Sequence, residues 1–508
     1  MNQLPNPQGR PRPEAPSRGA PGRPWSRRDF LGVSGKVVLG SLVLGAAACA
    51  PFGGGAAAAS VTKLRKFHSR PDLIMPAIHV AAPMGAVAPG YAFVTVGTPK
   101  VTSGPLIVDN SGDPVWFQPV PGKSLADFKV QQFGGRSVLT WWEGTIVSPG
   151  FGRGEIVIAD SSYQVLKRVT AGHGYQADLH EFLITPAGTG LLTVFNEVAA
   201  DLSSLGGSRS GKVLEGVVQE IDLSTGAPVF EWHSLQHVGP EESYSPVPKS
   251  GGTPFDYFHI NSIEVDSDGN LLVSARNTWA VYKIDRRSGD VIWRLGGKKN
   301  SFTMGAGTDF EWQHDARRQP DGSITLFDDA ASPQEEPRSR GLLLHVDEGT
   351  RAASLIRQYV NYGLITTSQG NVQVLPNGNV FIGWGALPNY TEFDAAGTIV
   401  FDARFLSQNQ SYRAYRQPWR GQPSEAPAIA AERAGSQLTV YASWNGATDV
   451  ARWQALSGPD PQQLTVAGSA PRHGFETAVT LKLGAGYVAA QAVDATGTVL
   501  AASRAIKV

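Results

Sequence analysis

Short apolar runs that end in an Asp-containing turn and restart in a second apolar or Trp-bearing run recur along the chain. Leu106-Ile107-Val108-Asp109 passes through Gly112 to Val115-Trp116-Phe117. Ile156 to Asp160 leads to Val165-Leu166, and Val218 to Asp222 leads through Gly226 to Val229-Phe230-Glu231-Trp232. Val281 to Asp285 leads through Gly289 to Val291-Ile292-Trp293, and Leu343 to Asp347 through Gly349 to Leu355-Ile356. Thr391 to Asp394 leads through Gly397 to Ile399-Val400-Phe401. The turn aspartates are spaced by 51, 62, 63, 62 and 47 residues, which makes six copies. A second hairpin precedes most copies, with tips at Pro186-Ala187-Gly188, Asp268-Gly269-Asn270, Pro320-Asp321-Gly322 and Pro376-Asn377-Gly378. Gly and Asn at such tips supply the positive φ that tight hairpins need.

Two hairpins per unit make a four-stranded antiparallel sheet, and radial repetition of such sheets gives a propeller. The expectation is an all-β chain with a six-bladed β-propeller over residues 65–424. A pair of β-sandwiches is the alternative, and the long period disfavours it. The Ala- and Pro-rich stretch from Glu425 to Ala434 reads as a linker. Beyond it Leu438 to Trp444 alternates, Asn445-Gly446 turns, and further strand runs follow at 477–483 and 487–493. This predicts a small C-terminal β-sandwich of immunoglobulin or fibronectin type over 435–508.

Composition narrows the function classes. The 508 residues are 41% apolar and carry 44 basic and 44 acidic side chains, with no basic block after residue 70 to suggest nucleic acid. Residues 1–25 are rich in Pro, Gly and Arg. Ser26-Arg27-Arg28-Asp29-Phe30-Leu31 then forms a twin-arginine pattern, followed by an apolar stretch from Val37 to Ala48. A stretch of that length suits a signal peptide over 1–48 and export of a folded protein. The single cysteine, Cys49, follows three alanines. It reads as a lipidation site, so that the membrane is reached only through a lipid anchor at Cys49, ahead of a tether over 49–64. The expected location is the periplasm or cell surface as a lipoprotein, or otherwise the exterior. No disulfide pair exists in the mature chain.

The repeat also places the candidate chemistry. His180 lies 8 residues before Gly188, His259 10 before Gly269, and His314 8 before Gly322. All three start the first strand of a unit, at one end of the axis. The matching position in the sixth unit is Gly370. Arg276 ends the second strand of the unit that begins with His259, where its forked donors suit an oxyanion. Asn261 sits two residues after His259 and points the same way on the strand. Tyr257 and Trp142, with Trp141 and Phe258, are candidate walls for an aromatic substrate. Gly122-Lys123-Ser124 lacks the glycine five positions upstream that a phosphate loop needs, since Phe117 stands there. Neither a metal nor a cofactor is expected, although three histidines leave zinc as an alternative.

Asp256-Tyr257-Phe258-His259-Ile260-Asn261-Ser262-Ile263, followed by Ser274-Ala275-Arg276, resembles the histidine–arginine motif of the bacterial nucleotide-independent arylsulfotransferases. Glu311-Trp312-Gln313-His314-Asp315-Ala316-Arg317, followed by Asp321 to Asp328, resembles the segment of the sulfated histidine in that family, and Asp178-Leu179-His180-Glu181 the first histidine motif. Ser69 to Leu73 and Ser443 to Ala447 are similar to its flanking segments. The resemblance implies ping-pong transfer of a sulfuryl group from an aryl sulfate to a phenol. His314 would be the nucleophile, Arg276 and His259 would stabilise charge on the sulfuryl oxygens, and His180 would share that task or move a proton. The chain departs from better-known members in lacking their disulfide and their sizeable N-terminal sandwich. Two other classes remain open from sequence: a redox propeller holding a quinone, given Trp116, Trp232 and Trp293 near unit ends, and a non-catalytic surface-binding propeller.

Overall fold

In the computed structural model, residues 63–82, 85–98, 101–147, 150–482 and 486–508 are described. The expected signal segment and Cys49 lie outside them. The chain is all-β, built from many small antiparallel sheets. Six of these follow one another along the sequence. Each begins with a strand that touches the first or second strand of the next sheet, which places these strands around a common centre.

The second sheet runs outward through Ser124–Phe133, Arg136–Val147, Phe151–Ala159 and Val165–Val169. The third runs through Phe182–Ile184, Thr189–Ala200, Gly211–Asp222 and Pro228–His233. The fourth holds Ile260–Val265, Leu271–Ala275, Ala280–Ile284 and Val291–Gly296. The fifth holds His314–Arg318, Ile324–Asp328, Arg340–Asp347 and Ala352–Tyr359, with Thr303–Met304 added in parallel at its edge.

The first and sixth sheets are composite. Tyr415–Gln417 supplies the inner strand of the first sheet, ahead of Tyr91–Thr98, Val101–Val108 and Pro114–Phe117. Ile78–Val80 supplies the outer strand of the sixth, after Asn371–Val374, Val380–Gly383, Asn389–Phe393 and Ile399–Phe405. The first and sixth sheets are thus each completed by a strand from a distant part of the chain. Each sheet buries apolar side chains on both faces against its neighbours. Leu271, Val273 and Ile263 pack with Val218 and Trp232 on one side, and Leu272, Val281 and Trp293 pack with Ile324 and Leu326 on the other. Strands buried on both faces lose the alternation of a half-exposed sheet. Gly322 turns the inner hairpin of the fifth sheet at φ 86°, a conformation that costs glycine nothing.

Two further sheets follow. One pairs Ala428–Ala434, Gln437–Ser443 and Glu476–Lys482. The other orders Thr465–Pro471, Arg452–Gly458, Tyr487–Val493 and Val499–Ala502, with Ile506–Lys507 beside Tyr487–Val493. They share a core that includes Leu438, Val440, Trp453, Val479 and Ala490. The stretch read as a linker is corrected here, because Ala428–Ala434 is a strand with a full register against Gln437–Ser443. Its small, weakly alternating side chains mask a strand whose order comes from the neighbour it pairs with.

Candidate active site

The three histidines occupy the same place in three consecutive sheets. His180 and His259 each stand just before the inner strand, and His314 is the first residue of its inner strand. They meet at one end of the ring's centre. The rings of His180 and His259 are 5.0 Å apart, centroid to centroid, and nearly perpendicular. Tyr412 joins them from the segment that closes the ring, 5.4 Å from His180 and 6.5 Å from His314. Phe195 packs at 5.5 Å from both His180 and His259. Exposure falls from 8% at His259 to 2% at His180 and 1% at His314.

Each imidazole places Nδ1 against a carboxylate. His180 Nδ1 lies 2.6 Å from Asp178 Oδ2, His259 Nδ1 2.5 Å from Asp256 Oδ2, and His314 Nδ1 2.5 Å from Asp329 Oδ2. On His314 the Gln369 backbone N–H donates to Nε2 at 3.3 Å. That contact puts a lone pair on Nε2 and the ring proton on Nδ1, an assignment made from the hydrogen-bond network. Burial pushes His314 well below the ordinary imidazole range, and the nearby Arg276, His259, His180 and Arg413 push the same way. Burial also lowers His259, though Asp256 opposes it. Burial raises Asp329 well above the usual carboxylate range, so the His314–Asp329 pair holds its shared proton tightly. The product is a neutral ring with an unprotonated Nε2, the form of imidazole that acts as a nucleophile.

Arg276 is brought to this cluster. Its guanidinium lies 4.7 Å from the Trp312 ring centroid, and it donates to Asn277 Oδ1 at 2.9 Å and to Thr367 O at 3.1 Å. Asn277 in turn donates to the backbone carbonyl of Asp256 at 2.6 Å, the residue whose carboxylate lies against His259.

Asn261, Tyr257 and Trp142 serve packing. Asn261 donates to Gln313 O at 2.8 Å and accepts from Asp315 N at 3.3 Å, so its amide is spent on fixing the strand that begins with His314. Tyr257 is buried in the core between the third and fourth sheets, with its hydroxyl donating to Ser234 Oγ at 2.7 Å. Trp142 is buried between the second and third sheets, with Nε1 donating to Ala177 O at 2.9 Å. A buried amphipathic ring needs one polar partner, and both have found theirs inside the fold.

Below the imidazoles a buried ionic network fills the centre. Arg413 donates to Asp127 Oδ1 at 2.9 Å and Glu181 Oε2 at 3.1 Å, and its Nε lies 3.3 Å from Asp315 Oδ1. Lys129 bridges Asp127 and Glu181, 2.7 Å from each. Arg317 reaches Glu181, Asp315 and Glu264.

Sequence reading missed Asp178, Asp256, Asp329, Gln369, Tyr412 and Arg413. The first two carried a signal, an acid two or three residues ahead of a histidine. Asp329 sits two residues beyond the hairpin partner of His314, Phe327, and is found only once that register is known. Gln369, Tyr412 and Arg413 arrive from distant loops. Among the described residues, one group of three side chains has metal-ligand spacing: Glu311, Asp328 and Glu336, with ligand atoms within 4.8 Å of one another. Arg340 already pairs with Asp328 and Glu336, at 2.9 Å each, and supplies a positive charge there.

The family model for arylsulfotransferase (ASST) matches residues 129–406, more than half of the chain. That span contains all three histidines, their three aspartates, Arg276 and Gln369. No curated protein matches the chain. Among solved structures, a protein of unknown function from Bacteroides caccae is 14% identical over 64% of this chain and 98% of its own, with a TM-score of 0.41. A virginiamycin B lyase from Staphylococcus aureus is 9% identical over 72% of this chain and 94% of its own, with a TM-score of 0.33. A protein from Lactobacillus plantarum is 13% identical over 77% and 99%, with a TM-score of 0.33. Likenesses this distant carry no argument about function.

Proposed function

The chain belongs to the arylsulfotransferase family, and from that premise we propose that it transfers a sulfuryl group from an aryl sulfate to a phenol through a covalent intermediate on His314. The observation that carries this reading is the neutral His314, with Nε2 unprotonated and Nδ1 held by Asp329, beside the Arg276 guanidinium. In the first half-reaction Nε2 attacks sulfur, the bond from sulfur to the aryl oxygen breaks, and its electron pair leaves with the phenolate. The Asp329 carboxyl, which shares the Nδ1 proton, holds the ring in place as its charge builds. In the second half, the oxygen of the acceptor phenol attacks the same sulfur, the N–S bond breaks, and the electron pair returns to Nε2. The acceptor's proton goes to a neighbouring imidazole, for which His259, lowered by burial, is the uncharged candidate. Arg276 stabilises the sulfuryl oxygens as their charge grows. No nucleotide donor or cofactor enters this scheme.

The ring of six sheets is read here as a six-bladed propeller over 65–424, and the two C-terminal sheets as an immunoglobulin-like β-sandwich. Export by the twin-arginine route and a lipid anchor on Cys49 complete the proposal. Cys49→Ser should release the protein from the membrane fraction, and full retention there would count against the anchor.

Initial rates test the transfer itself. With an aryl sulfate and a phenol varied together, double-reciprocal plots should be parallel, and His314→Ala should abolish turnover. Intersecting lines together with an active His314→Ala would remove the scheme.

A further inference from the structure

His314 is buried and its Nε2 is already occupied. The Gln369 N–H that donates to it fills the space that a sulfur atom bonded to Nε2 would need. The same short segment also accepts from Arg276 through Thr367 O. The two groups that would handle the sulfuryl group are therefore both contacted by three consecutive residues, 367–369.

That segment is pinned by its own hydrogen bonds. Thr366 N donates to the buried Ser339 Oγ at 2.8 Å, and Ser339 Oγ donates to Asp329 O at 2.7 Å. Thr366 Oγ1 donates to Ser368 O at 3.1 Å, Ala386 N donates to the same oxygen at 3.1 Å, and Gly370 N donates to Tyr412 O at 3.0 Å. Gln369 has φ 72°, an uncommon conformation for a residue with a side chain, followed by Gly370 at φ 101°. Gly385 packs so closely that a Cβ on it would lie 2.4 Å from Ser368 O. A strained turn held in place by its surroundings points to a functional element.

We propose that residues 366–370 form a gate over the nucleophile, which must withdraw Gln369 from His314 Nε2 before an aryl sulfate can react. This rests on His314 being the nucleophile. The gate keeps the reactive nitrogen from other electrophiles and from water, and its opening removes the Thr367 O contact from Arg276 in the same movement. Opening costs the hydrogen bonds above and is favoured by relief of the Gln369 turn. Local openings of this kind lie at the low end of a protein's stability range.

Diethylpyrocarbonate, which acylates neutral imidazole, tests the gate without an aryl sulfate. The full-length protein is treated, and acylation is followed by peptide mass at His314, His79 and His345, the last two being exposed. A depressed proton affinity would speed His314 if it were open. The gate instead makes His314 at least about tenfold slower than the exposed pair. Ser339→Ala leaves the Thr366 N–H without its partner, and Thr366→Val removes a bond inside the segment without changing shape. Each should raise the His314 rate about tenfold while leaving His79 and His345 unchanged. The proposal is overturned if wild-type His314 reacts as fast as His79, a comparison that needs no variant, or if both folded variants keep the wild-type rate. An open His314 that still takes a sulfuryl group would remove the gate and spare the transfer; a guarded His314 that never takes one would do the reverse.

Discussion

Each imidazole of the cluster leans on a carboxylate of its own unit, but not always from the same part of it. Asp178 and Asp256 come from the approach to the inner strand, and Asp329 from the far end of the adjacent strand. The carboxylate beside His314 is as fully buried as that beside His180, and one of its oxygens, Oδ1, has no partner. Replacing Asp329 by Asn preserves shape but removes the carboxyl that shares the ring proton on Nδ1. Adduct formation on His314 should fall by about 10²-fold, measured by single-turnover release of phenolate. The direction of the His314 shift also fixes a pH dependence. A depressed imidazole stays unprotonated as pH falls through its ordinary range near about 6.5. The first half-reaction should therefore hold its rate from pH 7 down to about pH 6, where a free imidazole would already have lost half or more of its nucleophilic form. A rate that halves near pH 6.5 would show that His314 is not shielded as described.

At the scale of elements, the inner hairpins were the most legible part of the sequence. Their tips at Gly188, Gly269, Gly322 and Gly378 fall between the first and second strands of four sheets. Counting back from the tips placed His180, His259 and His314 together, because the similar spacings of 8, 10 and 8 residues along equivalent strands give similar height about the centre. The same logic failed for Asn261, Tyr257 and Trp142. Spacing tells which face a side chain leaves from, but not which backbone group it will meet there, and all three met partners inside the fold. The central ionic network was invisible for a related reason. Arg413 is local to none of its partners, Asp127, Glu181 and Asp315. Its removal should be costly, since a buried carboxylate cluster would lose a cation that it cannot replace with water. Arg413→Met is expected to destabilise the fold by about 3–5 kcal/mol, read from urea unfolding. A loss below about 1 kcal/mol would mean that water already reaches the network.

For the whole molecule, the succession of small antiparallel sheets was readable, but the strands that complete the first and the last of them were not. The sequence period ends with the sixth unit, whereas closure needs Tyr415–Gln417 to cross back to the first sheet and Ile78–Val80 to cap the sixth. Both strands have three residues, too short to show a pattern. The C-terminal sheets are likewise tied to the ring by contacts that composition cannot reveal. Asn445 exchanges hydrogen bonds with the backbone of Phe117 at 3.0 and 2.9 Å, and Tyr163 donates to Gly446 O at 2.7 Å. Glu476 accepts from the backbone of His68 and Ser69. A chain ending near Glu425 should therefore keep a β-rich spectrum yet melt several degrees lower, since each lost bond contributes about 1 kcal/mol. An unchanged melting temperature would mean that the C-terminal sheets are independent of the ring.

The central claim is that His314 carries the sulfuryl group, and intact mass tests it most directly. The protein is incubated with a phenyl sulfate in the absence of any acceptor phenol, then weighed and digested. One sulfuryl group should be gained per chain, mapped to His314, absent from His314→Ala, and discharged when a phenol is added. It should also be lost in acid, because protonating the ring makes imidazole a good leaving group. No gain in mass, or a gain that maps to another residue and persists in His314→Ala, would contradict the account.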